Sequence, residues 1–162
     1  MQKDSILNII LVGVGLCIVC GAVISTVAVS LKDQQEQNVI FDQQSKIIDA
    51  ARLLEVYPSS QEALASIEEV VVNLNDGLPS GFPPEQYDLD SILRDSSQHT
   101  VLNGSDDIAM ISVRENLSKV YIEYRNNELK TLILPVRGYG LWGTLYGYLA
   151  LDSDLNTIVG LE

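Results

Sequence analysis

The sequence predicts an α+β protein in which a single N-terminal transmembrane helix and a helical stalk precede a small antiparallel sheet. Three observations support this fold class. An uncharged apolar run ends near Leu31, and apolar residues then recur at helical intervals as far as Leu54. Beyond Asp107 the chain breaks into short segments rich in β-branched and aromatic residues, separated by turn residues. Helices first and strands afterwards are typical of α+β domains.

Residues 1–31 are predicted to form the transmembrane anchor. No charged residue lies between Ser5 and Leu31. A helix over Ile6–Leu31 would be about 39 Å long, which exceeds the roughly 30 Å hydrocarbon core of a bilayer. A cleavable signal peptide is the alternative, but its apolar region is only about 7 to 15 residues long and follows a basic segment. Here only Lys3 precedes the run, so we interpret it as an uncleaved anchor.

Residues 32–57 are predicted to form an amphipathic stalk helix. The polar start at Lys32 is followed by apolar residues at helical spacing, namely Val39, Ile40, Ile47, Ile48, Ala51 and Leu54. Pro58 cannot continue a helix, so we place the end of this one near Glu55. The stalk helix is expected to be continuous with the anchor.

Residues 58–162 are predicted to form one domain outside the cytoplasm. Its first elements are a short helix through Ser66, capped by Ser59 or Ser60, and a strand over Val70–Leu74 that Asp76-Gly77 closes. Residues 78–105 are rich in Pro, Gly, Ser and Asp and are predicted to be irregular, with one helical turn near Ser91–Arg94. The single histidine, His99, is interpreted as a surface residue.

The rest of this domain is predicted to be an antiparallel sheet. The expected strands are Ile108–Val113, Lys119–Tyr124, Leu129–Val136, Leu145–Leu151 and Thr157–Leu161. Turn residues at Arg125–Glu128 and Asp152–Asn156 predict hairpins. Because the sequence stops at the end of a predicted strand, we expect the chain to be the N-terminal part of a longer protein, with an incomplete sheet.

The composition excludes several classes of function. The chain has 22 acidic and 10 basic residues, a net charge of −12. Such a surface repels phosphate backbones and anionic lipid heads, so binding to nucleic acid is not expected. Both cysteines, Cys17 and Cys20, lie in the apolar run and are interpreted as lipid-facing or helix-packing residues. With no thiol and one histidine in the domain, we predict no metal ligands and no catalytic residues.

The segment from Leu134 to Leu151 contains the one candidate binding motif. Gly138 and Gly140 allow a tight turn and a close approach of the backbone to a ligand, while Leu141 and Trp142 offer flat apolar surface. The alternative interpretation is a bulged hairpin whose Trp142 fills the core.

The chain resembles the C subunits of the Na+-translocating NADH:quinone reductase of bacterial respiratory membranes. The resemblance covers nearly the whole chain, and its specific part is the Pro-Val-Arg-Gly-x-Gly-Leu-Trp block at Pro135–Trp142. The stalk segments Leu31–Gln35 and Gln43–Ile47 and the Asp106–Ala109 segment also match. The G subunit of the Rnf complex shares the flavin domain, but the Gly138–Trp142 segment fits the quinone reductase family better.

This resemblance implies an FMN-binding-type domain that carries electrons from NADH to quinone. The family attaches FMN through its phosphate to the threonine of a Ser/Thr-Gly-Ala-Thr motif, and this chain has no such motif. We therefore expect no covalent flavin and no resident cofactor in this chain, and an inactive isolated chain. The residues carried over as part of the flavin pocket wall are Gly138, Gly140, Leu141, Trp142 and Thr144.

The resemblance also implies location and partners. The chain would be a single-pass protein of the bacterial inner membrane, with its domain on the periplasmic side and with lipid and the other membrane subunits of the reductase as partners. Two further hypotheses remain from other classes. One is a pilin-like protein, although no Gly-Phe processing junction precedes Ile6. The other is an extracytoplasmic sensor or interaction protein with one anchor, although no second apolar span follows.

Overall fold

The computed structural model describes residues 6–162. Lys3 and Ser5, at the start of the predicted anchor, lie outside these residues. The chain divides into two compact units, and the division falls after Asp42.

Helix α1 runs from Ile6 to Ala50 without a break, which confirms that the predicted anchor and stalk are one helix. Its apolar residues from Ile6 to Leu31 are exposed, for instance Val29 at 75%. Within the described residues, this is the one helix long and apolar enough to cross a membrane. The predicted domain boundaries after residues 31 and 57 stay predictions.

The second unit is built on an antiparallel sheet of five strands in the order β1-β4-β5-β6-β7. These strands are β1 Ile67–Asn73, β4 Leu117–Arg125, β5 Glu128–Gly140, β6 Gly143–Asp152 and β7 Ile158–Leu161. Two short strands, β2 His99–Val101 and β3 Val113–Glu115, form a separate antiparallel ribbon. The short helices are α2 Ser60–Ala65 and α3 Leu89–Arg94. The predicted α+β class and antiparallel sheet are confirmed.

The core lies where the end of α1 covers one face of the sheet. Directly opposed residues of antiparallel strands share a face, and the register aligns Tyr121, Ile133, Ala150 and Gly160 across β4, β5, β6 and β7. The buried cluster joins this row to the helical segments through Ile47, Ile48, Ala50, Ala51, Leu53 and Ala63. Of the apolar residues that predicted the stalk, Ile47, Ile48 and Ala51 pack in this core, whereas Val39, Ile40 and Leu54 are exposed.

The predicted end of the stalk helix near Glu55 is wrong. Helix α1 ends at Ala50, and Arg52 takes the left-handed conformation with φ 52° before a 3₁₀ turn over Leu53–Glu55. Ala50 and Leu53 are both buried. Apolar residues continue past the end of the helix because Leu53 enters the same core, whereas Leu54, which marked the predicted end, is 52% exposed.

The predicted strand over Ile108–Val113 is also wrong, since only Val113 belongs to a strand. Met110 and Ser112 have φ values of 52° and 63°, which a strand cannot contain. The carboxylate of Asp107 accepts hydrogen bonds from the backbone N–H groups of Ile111 and Ser112. These hydrogen bonds between a side chain and the nearby backbone compete with sheet pairing, as is usual for Asp side chains.

Most of the remaining local predictions are confirmed. Ser59 caps α2 by accepting the N–H of Glu62 at 3.3 Å, and Asn126 and Asn127 both have positive φ in the β4–β5 hairpin turn. Residues 78–105 are largely irregular, although they contain α3 and β2. His99 is partly exposed and lies in β2 opposite Glu115, and its interpretation as a surface residue rather than a ligand or base stays a prediction.

Candidate functional site

The five predicted cofactor-binding residues lie at the end of the hairpin formed by β5 and β6. The two strands pair from Thr131 with Asp152 to Gly140 with Gly143. Leu141 and Trp142 form the turn, and their side chains are 88% and 96% exposed. The alternative in which Trp142 fills the core is therefore wrong, and the turn is open to solvent.

The register places the site residues on different faces of the hairpin. Gly138 opposes Leu145 and Gly140 opposes Gly143 on one face, whereas Thr144 opposes Tyr139 on the other. The first face carries few side chains, because three of these four positions are glycines. A contact through the Thr144 hydroxyl and one through the glycine backbone would thus come from opposite faces. Which of them meets a ligand stays a prediction.

One of the glycines at this end is required by the hairpin itself, and a second is closely packed. A Cβ on Gly140 would lie 2.8–2.9 Å from Cδ1 and Cγ of Leu145, whose exposed side chain can turn away, and 3.3 Å from the carbonyl oxygen of Gly143. Gly143 has φ 146°, a conformation that is essentially reserved for glycine. The glycine pattern therefore has a structural reason that needs no ligand.

A loop that was predicted as a strand lies against the hairpin. The backbone N–H of Tyr139 donates to the carbonyl oxygen of Ala109 at 2.8 Å. A Cβ on Gly138 would meet the same residue at 3.7–3.8 Å. The neighbours of Ala109, Ile108 and Met110, are 91% and 62% exposed. The fold thus brings apolar side chains from a distant part of the sequence to the predicted site.

Arg137 lies in the same motif but was not predicted as a site residue. Its Nη2 donates to Glu115 Oε2 at 2.6 Å and to the carbonyl oxygen of Val113 at 2.7 Å. Both side chains of the ion pair are largely buried, with exposures of 10% and 12%. One sequence signal was available, since Arg137 is the only charged residue between Leu132 and Leu151.

Burial changes the electrostatics around this ion pair. Burial raises the pKa of Tyr87 to about 12, and the nearby charge of Glu115 adds to the increase. The phenol donates to the carbonyl oxygen of Leu117 at 3.2 Å and stays neutral at physiological pH. Nη2 of Arg137 is thus paired with acceptors inside the protein, and its Nε is buried without a hydrogen-bond partner.

These residues fit one part of FMN and not the other. A flat ring system can lie on the exposed Leu141 and Trp142, beside a face with few side chains. The phosphate would need cations or free backbone amides, yet the single cation of this segment is buried in the ion pair with Glu115. The hairpin therefore offers a surface for a flat ring such as isoalloxazine, whereas for a phosphate it offers the exposed Thr144 hydroxyl but no free cation.

Other candidate sites are weaker. In the part of the chain that the structure describes, no group of three or more His, Cys, Asp or Glu side chains could hold a metal ion. An open hollow follows β1, lined by Asn73, Asp76, Leu78, Pro79, Ser80, Gly81, Phe82, Pro83 and Leu117. None of the predicted cofactor-binding residues lines it, so the hairpin remains the candidate site.

Almost the whole chain is similar to curated proteins of one kind. It is 39% identical over 164 residues to the C subunit of the Na+-translocating NADH-quinone reductase of Pseudomonas aeruginosa, covering 98% of this chain and 63% of that protein. It is 36% identical over 161 residues to the protein of the same name from Vibrio vulnificus, covering 99% and 63%. The chain thus spans a little under two thirds of the length of these relatives.

Solved structures agree with this similarity. The crystal structure of NqrC from Shewanella oneidensis aligns with a TM-score of 0.64 and 25% identity, over 74% of this chain and 56% of that one. No protein-family model matches the chain.

Proposed function

Because this chain is a homologue of the C subunits of the Na+-translocating NADH-quinone reductase, we propose that it takes part in electron transfer from NADH to quinone and that its β5–β6 hairpin contacts a flavin ring. The homology confirms the resemblance that the Pro135–Trp142 motif predicted. The relatives are named as subunits of an oxidoreductase complex. The flavin and the activity of the whole protein are our proposals for this chain.

The observation that carries the proposal is the exposure of Leu141 and Trp142 on a well-paired hairpin. Exposed large apolar side chains are unfavourable in water unless something covers them. The β5–β6 pairing continues to Gly140 and Gly143, directly beside the turn. The backbone that presents these side chains is therefore fixed before any ligand arrives.

FMN would supply the chemistry, since a flavin accepts and releases single electrons. The residues of this chain would bind and orient it. Trp142 and Leu141 would cover part of the ring and exclude water from it, while the glycine face would allow close approach. The attachment motif of the family is absent from these 162 residues, so no residue here is assigned to the phosphate.

We also propose the location and the partners. The uncharged run of α1 would anchor the chain in the bacterial inner membrane, with the acidic domain on the periplasmic side. The other membrane subunits of the reductase would be its partners, and anchoring beside them raises the effective concentration for electron transfer. An uncharged span offers no site for an ion, so Na+ translocation is assigned to those partners.

Replacing Trp142 with alanine is expected to weaken the binding of riboflavin by about tenfold, because an aromatic contact contributes ~0.5–1.5 kcal/mol beyond the area it buries. Riboflavin carries the flavin ring without the phosphate, so it isolates the part of FMN that the hairpin fits. The binding is measured by the fluorescence anisotropy of riboflavin titrated with the full chain in detergent.

The control for this experiment is Tyr124→Ala. Tyr124 is a 43% exposed aromatic residue near the turn at the other end of β4 and β5. It should leave riboflavin binding unchanged, and neither variant should change the midpoint of chemical unfolding. If the unmodified chain shows no saturable binding, or if both variants bind riboflavin equally well, the flavin contact is contradicted.

A further inference from the structure

We propose that Arg137 is a positioning residue for the hairpin, acting through the loop Asp107–Ser112 to hold the open edge of β5 at Tyr139. This inference deepens the proposed flavin contact and rests on it.

The edge of β5 needs such support because its pairing with β4 covers only the first half of β5. Strand β4 pairs with β5 only from Glu128 to Ile133, whereas β6 accompanies β5 as far as Gly140. Beyond Ile133 this edge of β5 is not paired with β4, and unpaired edges open readily. The backbone bond from Tyr139 to Ala109, at 2.8 Å, closes this edge next to the turn.

Arg137 fixes the C-terminal end of the loop to β5. Its Nη2 reaches the carbonyl oxygen of Val113 and the carboxylate of Glu115, and both acceptors belong to β3, which follows the loop directly. The planar guanidinium makes such a two-acceptor contact directional, which an ammonium does not reproduce. The ion pair is nearly buried, so water competes little for these bonds.

The loop is stiff enough to connect Arg137 with Tyr139. Asp107 Oδ1 and Oδ2 each accept one backbone N–H at 2.8 Å, from Ile111 and Ser112. Met110 and Ser112 are held at positive φ, a conformation that is unfavourable for non-glycine residues. The hydrogen bonds of the loop therefore fix its backbone conformation. A change at one end of the loop is then expected to affect the other end.

The arrangement supports an exposed surface rather than the core. Ile108 is 91% exposed and Met110 62%, and on the hairpin Tyr139 is 58% exposed. None of these three residues belongs to the buried cluster under α1. What the ion pair and the loop hold in place is therefore the surface next to Leu141 and Trp142, where we propose that the flavin ring lies.

The test compares Arg137→Gln with Arg125→Gln in the full chain in detergent. Arg125 also donates to a carboxylate at 2.6 Å, that of Glu123, but near the opposite end of β5. We expect hydrogen exchange of the Tyr139 amide, resolved by NMR, to become at least about tenfold faster in Arg137→Gln, because β5 loses a charge-assisted hydrogen bond to β3. Arg125→Gln should leave it unchanged, and Arg137→Lys should give an intermediate rate.

A second variant reaches the same loop without touching Arg137. In Asp107→Asn the amide oxygen accepts one backbone N–H but the NH₂ group cannot accept the other. We expect faster exchange at Tyr139, and an effect in the double variant with Arg137→Gln smaller than the sum of the two single effects. Riboflavin binding should weaken in both single variants, while Trp142 itself is unchanged.

The outcomes separate the two proposals. Unchanged exchange at Tyr139 in Arg137→Gln, or equally fast exchange in Arg125→Gln, would overturn the positioning role. Faster exchange with unaltered riboflavin affinity would overturn it for the flavin site. If the unmodified chain binds no riboflavin, the proposed function fails and the flavin role of Arg137 fails with it. The exchange data would still decide whether Arg137 holds the edge of β5.

Discussion

Replacing Glu123 with alanine is expected to lower the free energy of unfolding of the sheet domain by about 3 kcal/mol. This carboxylate is 0% exposed. Its oxygens accept hydrogen bonds from Tyr57 at 2.9 Å, from Thr131 at 2.7 Å and from Arg125 at 2.6 Å. Alanine would leave two hydroxyl donors without their acceptor inside the protein. Arg125, which is 40% exposed, can turn to water, and this keeps the loss below that of a fully buried pair.

The loss is measured by urea unfolding of the full chain in detergent, followed by circular dichroism. The control is Glu128→Ala, which removes an exposed carboxylate that binds Lys130 at 2.9 Å. Exposed ion pairs contribute about 0–1 kcal/mol. Equal destabilisation by the two variants would contradict the role of the buried network.

The same carboxylate predicts a dependence of stability on acid. Burial alone would raise its pKa, but the hydrogen bonds from Arg125, Thr131 and Tyr57 outweigh burial and hold the pKa below the ordinary value of 4.5. Because this pKa is lowered in the folded protein, the carboxylate of Glu123 makes its full contribution to the free energy of unfolding above pH 4.5. That contribution is lost as the pH falls through the pKa of the folded state. We expect the urea concentration at the unfolding midpoint to decrease as the pH drops below 4.5. This decrease should be smaller in Glu123→Gln.

Replacing Gly160 with alanine is expected to destabilise the domain by about 1–3 kcal/mol. A Cβ at this position would collide with the backbone carbonyl of Ala50 at the end of α1. Gly160 opposes Ala150, which is 0% exposed, as is Ala50. Because the obstacle is backbone, the helix end or β7 must shift, and the row of core residues beneath the helix shifts with it. Urea unfolding of the full chain measures the change.

The matched control for this substitution is Gly104→Ala. Gly104 has no heavy atom within 4 Å of an added Cβ and has no positive φ. Its substitution should leave the unfolding midpoint unchanged or slightly higher, since alanine reduces the entropy of the unfolded chain. If the Gly160→Ala variant were as stable as the control, the close packing of the end of α1 against β7 would be contradicted.

The errors of sequence analysis at this site have one origin. Ile108–Val113 has the composition of a strand, and no local pattern shows that Asp107 captures two of its amides. Arg137 stood out by charge alone, but its acceptors Val113 and Glu115 lie more than twenty residues away. Chemistry that depends on such distant contacts is invisible to periodicity and turn composition.

The sequence by itself determined what depends on neighbours along the chain. The uncharged run predicts a long helix, and that run, the apolar spacing of the stalk, the asparagine turn and the Ser59 cap each act over a few residues. Only the tertiary structure decided where α1 ends against Gly160, that Trp142 faces solvent, and that Ile108 and Met110 flank the hairpin. These features follow from packing and pairing between segments far apart in sequence, and their energies appear only once the sheet has formed.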